Sequence, residues 1–167
     1  MCKVLIVYDS RTGNTELMAK AIGEGVREAG LDAEVTRVDD IGLDDLVRAD
    51  GIVLGSPTHF CTMSDKMKTL IDKSIEIYPE KLQNKVGAAF TSSGAMAGGN
   101  ETTLLSLIQA MLMHRMVIVG HQSGSFGAVS IGKPNEKCLT SCREFGKRIA
   151  NFTEKLRKGS QRAAIIK

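Results

Sequence analysis

Five apolar runs, Val4–Tyr8, Ala33–Val38, Ile52–Gly55, Val86–Thr91 and Met116–Val119, are short enough and rich enough in branched residues to predict β-strands. The segments Thr15–Ala29, Ser64–Ile75 and Glu101–Met113 between them, and Glu136–Leu156 after the last, repeat their apolar positions at helical spacing. Strand–helix alternation of this kind predicts an α/β domain, a doubly wound, five-stranded parallel sheet with helices on both faces. The first, third and fourth strands are apolar nearly throughout, as strands covered on both faces must be. By contrast, Ala33-Glu34-Val35-Thr36-Arg37-Val38 alternates like a sheet edge, so the expected order is 2-1-3-4-5. Asp39–Asp50 reads as a short acidic connection, and the absence of any repeat or linker makes 1–167 a single domain.

Sheets of this topology bind ligands beyond the carboxyl ends of their strands, at the switch point between the first and third. At the first of these ends stands Ser10-Arg11-Thr12-Gly13-Asn14-Thr15, immediately before a helix. Unpaired N–H groups and the positive end of the helix dipole converge in such a turn and make it an anion pocket. The residues present narrow the anion. No lysine follows Gly13 as in a nucleoside-triphosphate loop, and G-x-G-x-x-G is missing. There is no cysteine nucleophile of a phosphatase in this turn, no phosphate-accepting Asp at Gly55-Ser56, and no G-x-S-x-G elbow. Neutral donors with Arg11 as the one charge suit a terminal phosphomonoester. The other two loops, Gly55–Met63 and Thr91–Asn100, are rich in Gly, Ser and Thr, and can hold a flat polar ring between them. Glycines 94, 98 and 99 would let backbone amides come close to the ring edge.

Composition adds limits. The chain of 167 residues can bury a full core without disulfides or metals. Cys2, Cys61, Cys138 and Cys142 are too irregularly spaced for a disulfide framework, and no histidine or second pair completes a metal set around Cys138 and Cys142. All four are expected to be reduced thiols. With no signal-peptide layout and no run near the ~20 apolar residues of a membrane span, the expected location is the cytoplasm. The net charge of +3 is concentrated in a basic tail, Lys155–Lys167, which is expected to be solvated or loosely packed. Without that tail the body is slightly acidic, and no aromatic-laced basic face suggests nucleic acid.

These residues resemble the flavodoxin-like flavoproteins, which bind flavin mononucleotide (FMN), and the resemblance spans nearly the whole chain. Within that group the sequence is similar to the NAD(P)H:quinone oxidoreductases of the tryptophan-repressor-binding-protein type. The likeness lies in Gly55-Ser56-Pro57-Thr58-His59-Phe60 with Met63, Ser64, Met67 and Asp72, in Ser92-Ser93-Gly94 through Gly98-Gly99 and Glu101, and in His114-Arg115-Met116-Val117-Ile118-Val119. Two departures stand out. The insertion after the second strand that helps those enzymes form tetramers is missing, and their active-site tryptophan corresponds to Tyr78 in a chain with no Trp.

The resemblance implies roles. Ser10, Thr12, Gly13, Asn14 and Thr15 would bind the flavin phosphate, with Arg11 either adding charge or facing solvent. Pro57, Thr58, His59 and Phe60 would border the isoalloxazine ring, and Ser92, Ser93, Gly94, Ala95, Met96, Gly98 and Gly99 would line its other side. Tyr78 and His114 are candidates at the substrate position; His114 is either a helix C-terminal cap or a flavin-edge residue, contributed by this or a neighbouring subunit. Met63, Met67, Met111, Met113 and Met116 are expected in the core, and Cys61 is expected to be inert. The implied activity is electron transfer from NAD(P)H through FMN to a quinone. The alternative is a one-electron carrier between redox proteins. Symmetry alone suggests a homodimer.

Overall fold

The computed structural model describes residues 2–165. Its elements run β1 (Lys3–Tyr8), α1 (Asn14–Glu28), β2 (Asp32–Arg37), α2 (Leu43–Arg48), β3 (Gly51–Pro57), α3 (Asp65–Lys73), β4 (Val86–Ser93), α4 (Asn100–Met113), β5 (Val117–Ile118), β6 (Ala128–Ile131) and α5 (Glu136–Ile165). All pairings are parallel: β1 sets Val4 opposite both Ala33 of β2 and Gly51 of β3, and β3 sets Gly51 opposite Val86 of β4. The order β2-β1-β3-β4-β5 is the one the apolar pattern predicts.

The fifth position is shared by two strands where one was expected. β5 pairs with Val86-Gly87 and β6 with Phe90–Ser93, so they follow one another along the far edge of β4. Between them Gly120-His121-Gln122-Ser123-Gly124-Ser125 is too polar and turn-prone to stay in the sheet. Ala128-Val129-Ser130-Ile131 then rejoins it with alternating burial, a run too short to stand out against the flanking glycines.

Strand pleating explains why β1 is apolar at every position. Val4, Ile6 and Tyr8 face a core shared with Met18, Ile22 and Val26 of α1 and Phe145 and Ile149 of α5. Leu5 and Val7 face the opposite core, with Leu46, Met67, Leu70, Leu104 and Leu107. Burying both faces removes the polar alternation that a half-exposed strand would show.

Three expectations change. The acidic connection contains α2, which is held on the sheet by buried Leu46 while the Asp45 carboxylate accepts from the Gly42 N–H at 2.8 Å. The basic tail is helical: α5 continues through Ile165, with Leu156 packed against the core and Arg157 near Asp50 at 3.9 Å. Residues 166–167 lie outside the described range. Met63, Met67, Met111 and Met116 are buried as expected, but Met113 is 65% exposed because it falls on the outer side of the last turn of α4.

Candidate functional site

β1 delivers the chain to the top of the sheet, where Asp9 N–H still bonds to Gly55 O at 3.0 Å. Ser10, buried at that point, accepts from the Gly13 N–H at 3.1 Å and, more weakly, from the Glu16 N–H at 3.4 Å. Gly13 caps α1 with φ +89°, a left-handed conformation that a side chain resists. The first helical bond of α1 runs from Leu17 N–H to Gly13 O at 3.0 Å. The amides of Asn14 and Thr15, and the side chains of Arg11, Thr12 and Asn14, have no hydrogen-bond partner among the described residues. The result is an open cradle of neutral donors at a helix N-terminus.

Two connections fix the cradle to its surroundings. Thr15 Oγ1 lies 2.9 Å from Ser92 Oγ, both buried, which ties the start of α1 to the end of β4. Behind the cradle, Arg37 donates to Ser10 O at 3.1 Å, lies 3.8 Å from the Asp9 carboxylate and stacks 5.8 Å from the Tyr8 ring centre. Sequence reading placed the local positive charge on Arg11, which is exposed; the cation built into the turn is Arg37, 27 residues beyond Ser10 and signalled by nothing in the linear pattern.

The other two loops are joined to each other. Residues 59–62 form a tight two-bond turn, with His59 N–H to Thr62 O at 2.9 Å and Thr62 N–H to His59 O at 3.0 Å. Its central pair, Phe60 and Cys61, both have positive φ, +47° and +65°. Turns of this kind are ordinarily built from Asn and Gly, so two bulky residues here are strained. Thr102 Oγ1 holds the turn in place, donating within 2.6 Å of Cys61 O and 2.9 Å of Gly99 O. Gly99, with φ +92°, leaves the room required: a Cβ there would lie 2.5 Å from Cys61 Cα. At the tip, Phe60 is fully exposed, and across the crevice Met96 is 82% exposed.

Below the rim, Thr58 N–H bonds to Ser92 O at 2.8 Å, and Thr58 Oγ1 lies 3.0 Å from Thr91 Oγ1 and 3.3 Å from Asn100 Oδ1. Asn100 and Thr102 were not singled out from the sequence; the available signal was a polar first turn directly after Gly98-Gly99. The structure therefore brings Ser10–Thr15, Pro57–Phe60 and Ser92–Gly99 to one end of the sheet.

Tyr78 and His114 are elsewhere. His114 caps the C-terminus of α4, a 14-residue helix whose N-cap is Gly99, so it lies about 21 Å from the crevice along the helix axis. Tyr78 accompanies it, with ring centres 5.7 Å apart at 70°. His114 Nε2 bonds to Ser74 Oγ at 2.7 Å, Nδ1 has no partner among the described residues, and burial lowers the affinity of the ring for a proton. Neither residue reaches the crevice of its own chain. His121, half-buried on the loop between β5 and β6, bonds to Ser123 Oγ at 2.7 Å and Ser141 Oγ at 3.0 Å.

Comparison with known proteins places this geometry. The Flavodoxin family model matches residues 6–111. An NAD(P)H dehydrogenase (quinone) from Archaeoglobus fulgidus is 36% identical over 190 aligned positions, covering 93% of this chain and all of the relative. A flavodoxin from Aquifex aeolicus is 34% identical over 161 positions, covering 91% and 87%. The first alignment has more positions than this chain has residues, so that relative carries segments missing here; the second, at 161 positions, needs far fewer such insertions. Among solved structures, a flavodoxin, WrbA-like protein from Agrobacterium tumefaciens has a TM-score of 0.83 at 26% identity, covering 93% of this chain and 99% of that one. A flavodoxin from the domain Archaea has a TM-score of 0.78 at 31% identity, covering 91% and 99%. The chain belongs to the flavodoxin family.

Proposed function

We propose that the crevice binds FMN and that the protein transfers electrons from NAD(P)H through it to a quinone or similar acceptor. The observation that carries the binding reading is the cradle: free amides of Asn14 and Thr15, with the unengaged side chains of Thr12 and Asn14, in a site that offers a phosphate hydrogen bonds and a dipole without a lysine. Ser10 positions the turn through its bond to Gly13, and Arg37 holds the Ser10 carbonyl from behind. The isoalloxazine ring would lie between Phe60 and the Gly94–Gly99 loop, where two exposed apolar side chains await a ring. FMN supplies the redox chemistry; the chain binds it, orients it and keeps one edge accessible.

The named quinone dehydrogenases among the relatives support the enzyme reading. The rival reading, a carrier passing electrons between proteins, is favoured by one observation: the flavodoxin from Aquifex aeolicus aligns over 161 positions against 190 for the Archaeoglobus relative, so it is nearer this chain in length over the matched region. Tyr78 and His114 could wall the substrate only from a second copy. Exposed Ile75 and Met113 beside them give that end of the molecule an apolar surface consistent with a homodimer. No helix is long and apolar enough to cross a membrane among the described residues, which fits a cytoplasmic enzyme.

The test has two stages. Calorimetric titration with riboflavin 5′-phosphate should show saturable binding, and no heat would remove the cofactor reading. Stopped-flow mixing of the loaded protein with NADH or NADPH, then benzoquinone, should show reduction and reoxidation much faster than with free FMN. Reduction no faster than free FMN leaves the carrier.

A further inference from the structure

Two opposite charges stand directly behind the cradle. Arg37 is the last residue of β2, where the parallel register sets it opposite Tyr8 of β1. Its guanidinium is held at three points: over the Tyr8 ring, on the Ser10 carbonyl, and 3.8 Å from the Asp9 carboxylate. Ser10 Oγ in turn accepts from the Gly13 and Glu16 amides, so this cation is one residue removed from the donors of the cradle. Asp9 is the less expected of the two. It is only 7% exposed, and its carboxylate accepts no hydrogen bond among the described residues. At 3.8 Å its contact with Arg37 is an ion pair, too long for a hydrogen bond. A buried carboxylate satisfied so poorly costs the fold stability, because few donors replace the water it has lost.

The remaining charges around the cradle are matched or in solvent. Glu16 pairs with Lys20 at 2.6 Å and Asp39 with Lys66 at 2.6 Å, while Arg11 and Asp40 are exposed. Charges in water are screened and act weakly on a neighbour, whereas charges held against the protein act strongly. The field at the cradle is therefore set by half-buried Arg37 and buried Asp9.

We infer that Arg37 and Asp9 are opposed specificity residues for the phosphate group of the flavin: Arg37 strengthens the binding of a phosphorylated flavin, Asp9 weakens it, and neither acts on the same flavin without its phosphate. The inference rests on the reading that the crevice binds FMN. A phosphomonoester carries about −1.5 to −2 charges at pH 7, and the donors of the cradle are neutral. Arg37 attracts that charge. By donating to the Ser10 carbonyl it also polarises the Ser10–Arg11 peptide and makes its N–H a stronger donor. Asp9, adjacent in the chain, repels the same charge. Riboflavin lacks the phosphate, so it leaves the cradle empty and feels neither residue. With both charges in place the phosphate is held by hydrogen bonds and the helix dipole, and not by a net positive field.

The experiment measures the affinities of the full chain for FMN by calorimetry and for riboflavin by fluorescence quenching, at low salt. Arg37→Gln should weaken FMN binding about tenfold, and Asp9→Asn should strengthen it about fivefold or more, the scale of one partly screened charge acting on a phosphate. Riboflavin affinity should stay within about twofold in both. Arg37→Lys keeps the charge and should hold FMN within about threefold of the parent. The double variant Asp9→Asn/Arg37→Gln, neutral at both positions, should return to within about threefold of the parent, which the loss of a purely structural support could not do. It also leaves no buried charge without a partner, so it and Asp9→Asn decide the matter even where Arg37→Gln fails to fold. FMN binding that is no tighter in Asp9→Asn than in the parent, or that falls as far in the double variant as in Arg37→Gln, overturns the inference. A parent that gives no heat with FMN fails the cofactor reading itself, whereas FMN binding that none of the variants moves fails this inference alone.

Discussion

Gly99→Ala tests whether the two ring-side loops are held together as the geometry requires. The new Cβ would stand 2.5 Å from Cys61 Cα and 2.7 Å from both Cys61 Cβ and Sγ, so backbone, not a flexible side-chain tip, would have to move. A non-glycine residue in the left-handed region costs roughly 1–2 kcal/mol, and overpacking typically adds about 1–3 kcal/mol. The middle of both ranges gives ~3.5 kcal/mol, or a fall in Tm of about 7–14 °C for a domain of this size. Gly94→Ala is the control: a Cβ there meets nothing within 4 Å, and its stability should stay within about 1 kcal/mol of the parent. The assay is thermal unfolding by circular dichroism without ligand, followed by FMN calorimetry on whichever variants remain folded. A Gly99→Ala protein melting within about 2 °C of the parent would refute the reasoning, since neither the strain nor the clash would then exist.

Other outcomes follow from the same contacts. Replacing Thr12 and Asn14 together by Ala should weaken FMN binding by about thirtyfold or more, the loss of ~2 kcal/mol of charge-assisted hydrogen bonding; a change within about threefold contradicts the phosphate assignment. Thr15→Val removes the 2.9 Å bond to Ser92 and leaves a buried hydroxyl unpaired, which should cost about 1–3 kcal/mol in urea unfolding. Adding Ser92→Ala should recover part of that loss. His114 is buried with its proton affinity lowered, so below its ordinary value of 6.5 the unfolded chain binds a proton that the folded chain resists. Its contribution to stability is complete above that value and declines as pH falls below it. His114→Gln should flatten the acid side of the stability–pH curve, and an unchanged slope would show that the ring is not desolvated.

Linear pattern determined much of this protein. The five sheet positions and their order could be read because strands buried on both faces must be apolar at every residue, while an edge strand such as Ala33–Val38 must alternate. The cradle could be read because its donors are consecutive residues at a strand–helix junction, where local geometry and local chemistry coincide. What joins distant stretches could not. Arg37 behind Ser10, Thr102 clamping Cys61 and Thr15 against Ser92 meet only after the chain has folded. The splitting of the fifth strand depends on how β4 pairs along its length, not on the few residues of β6. The placement of Tyr78 and His114 was decided in the same way: a helix carries its two ends about 21 Å apart, so residues whose motifs suggest one site stand at opposite ends of the sheet.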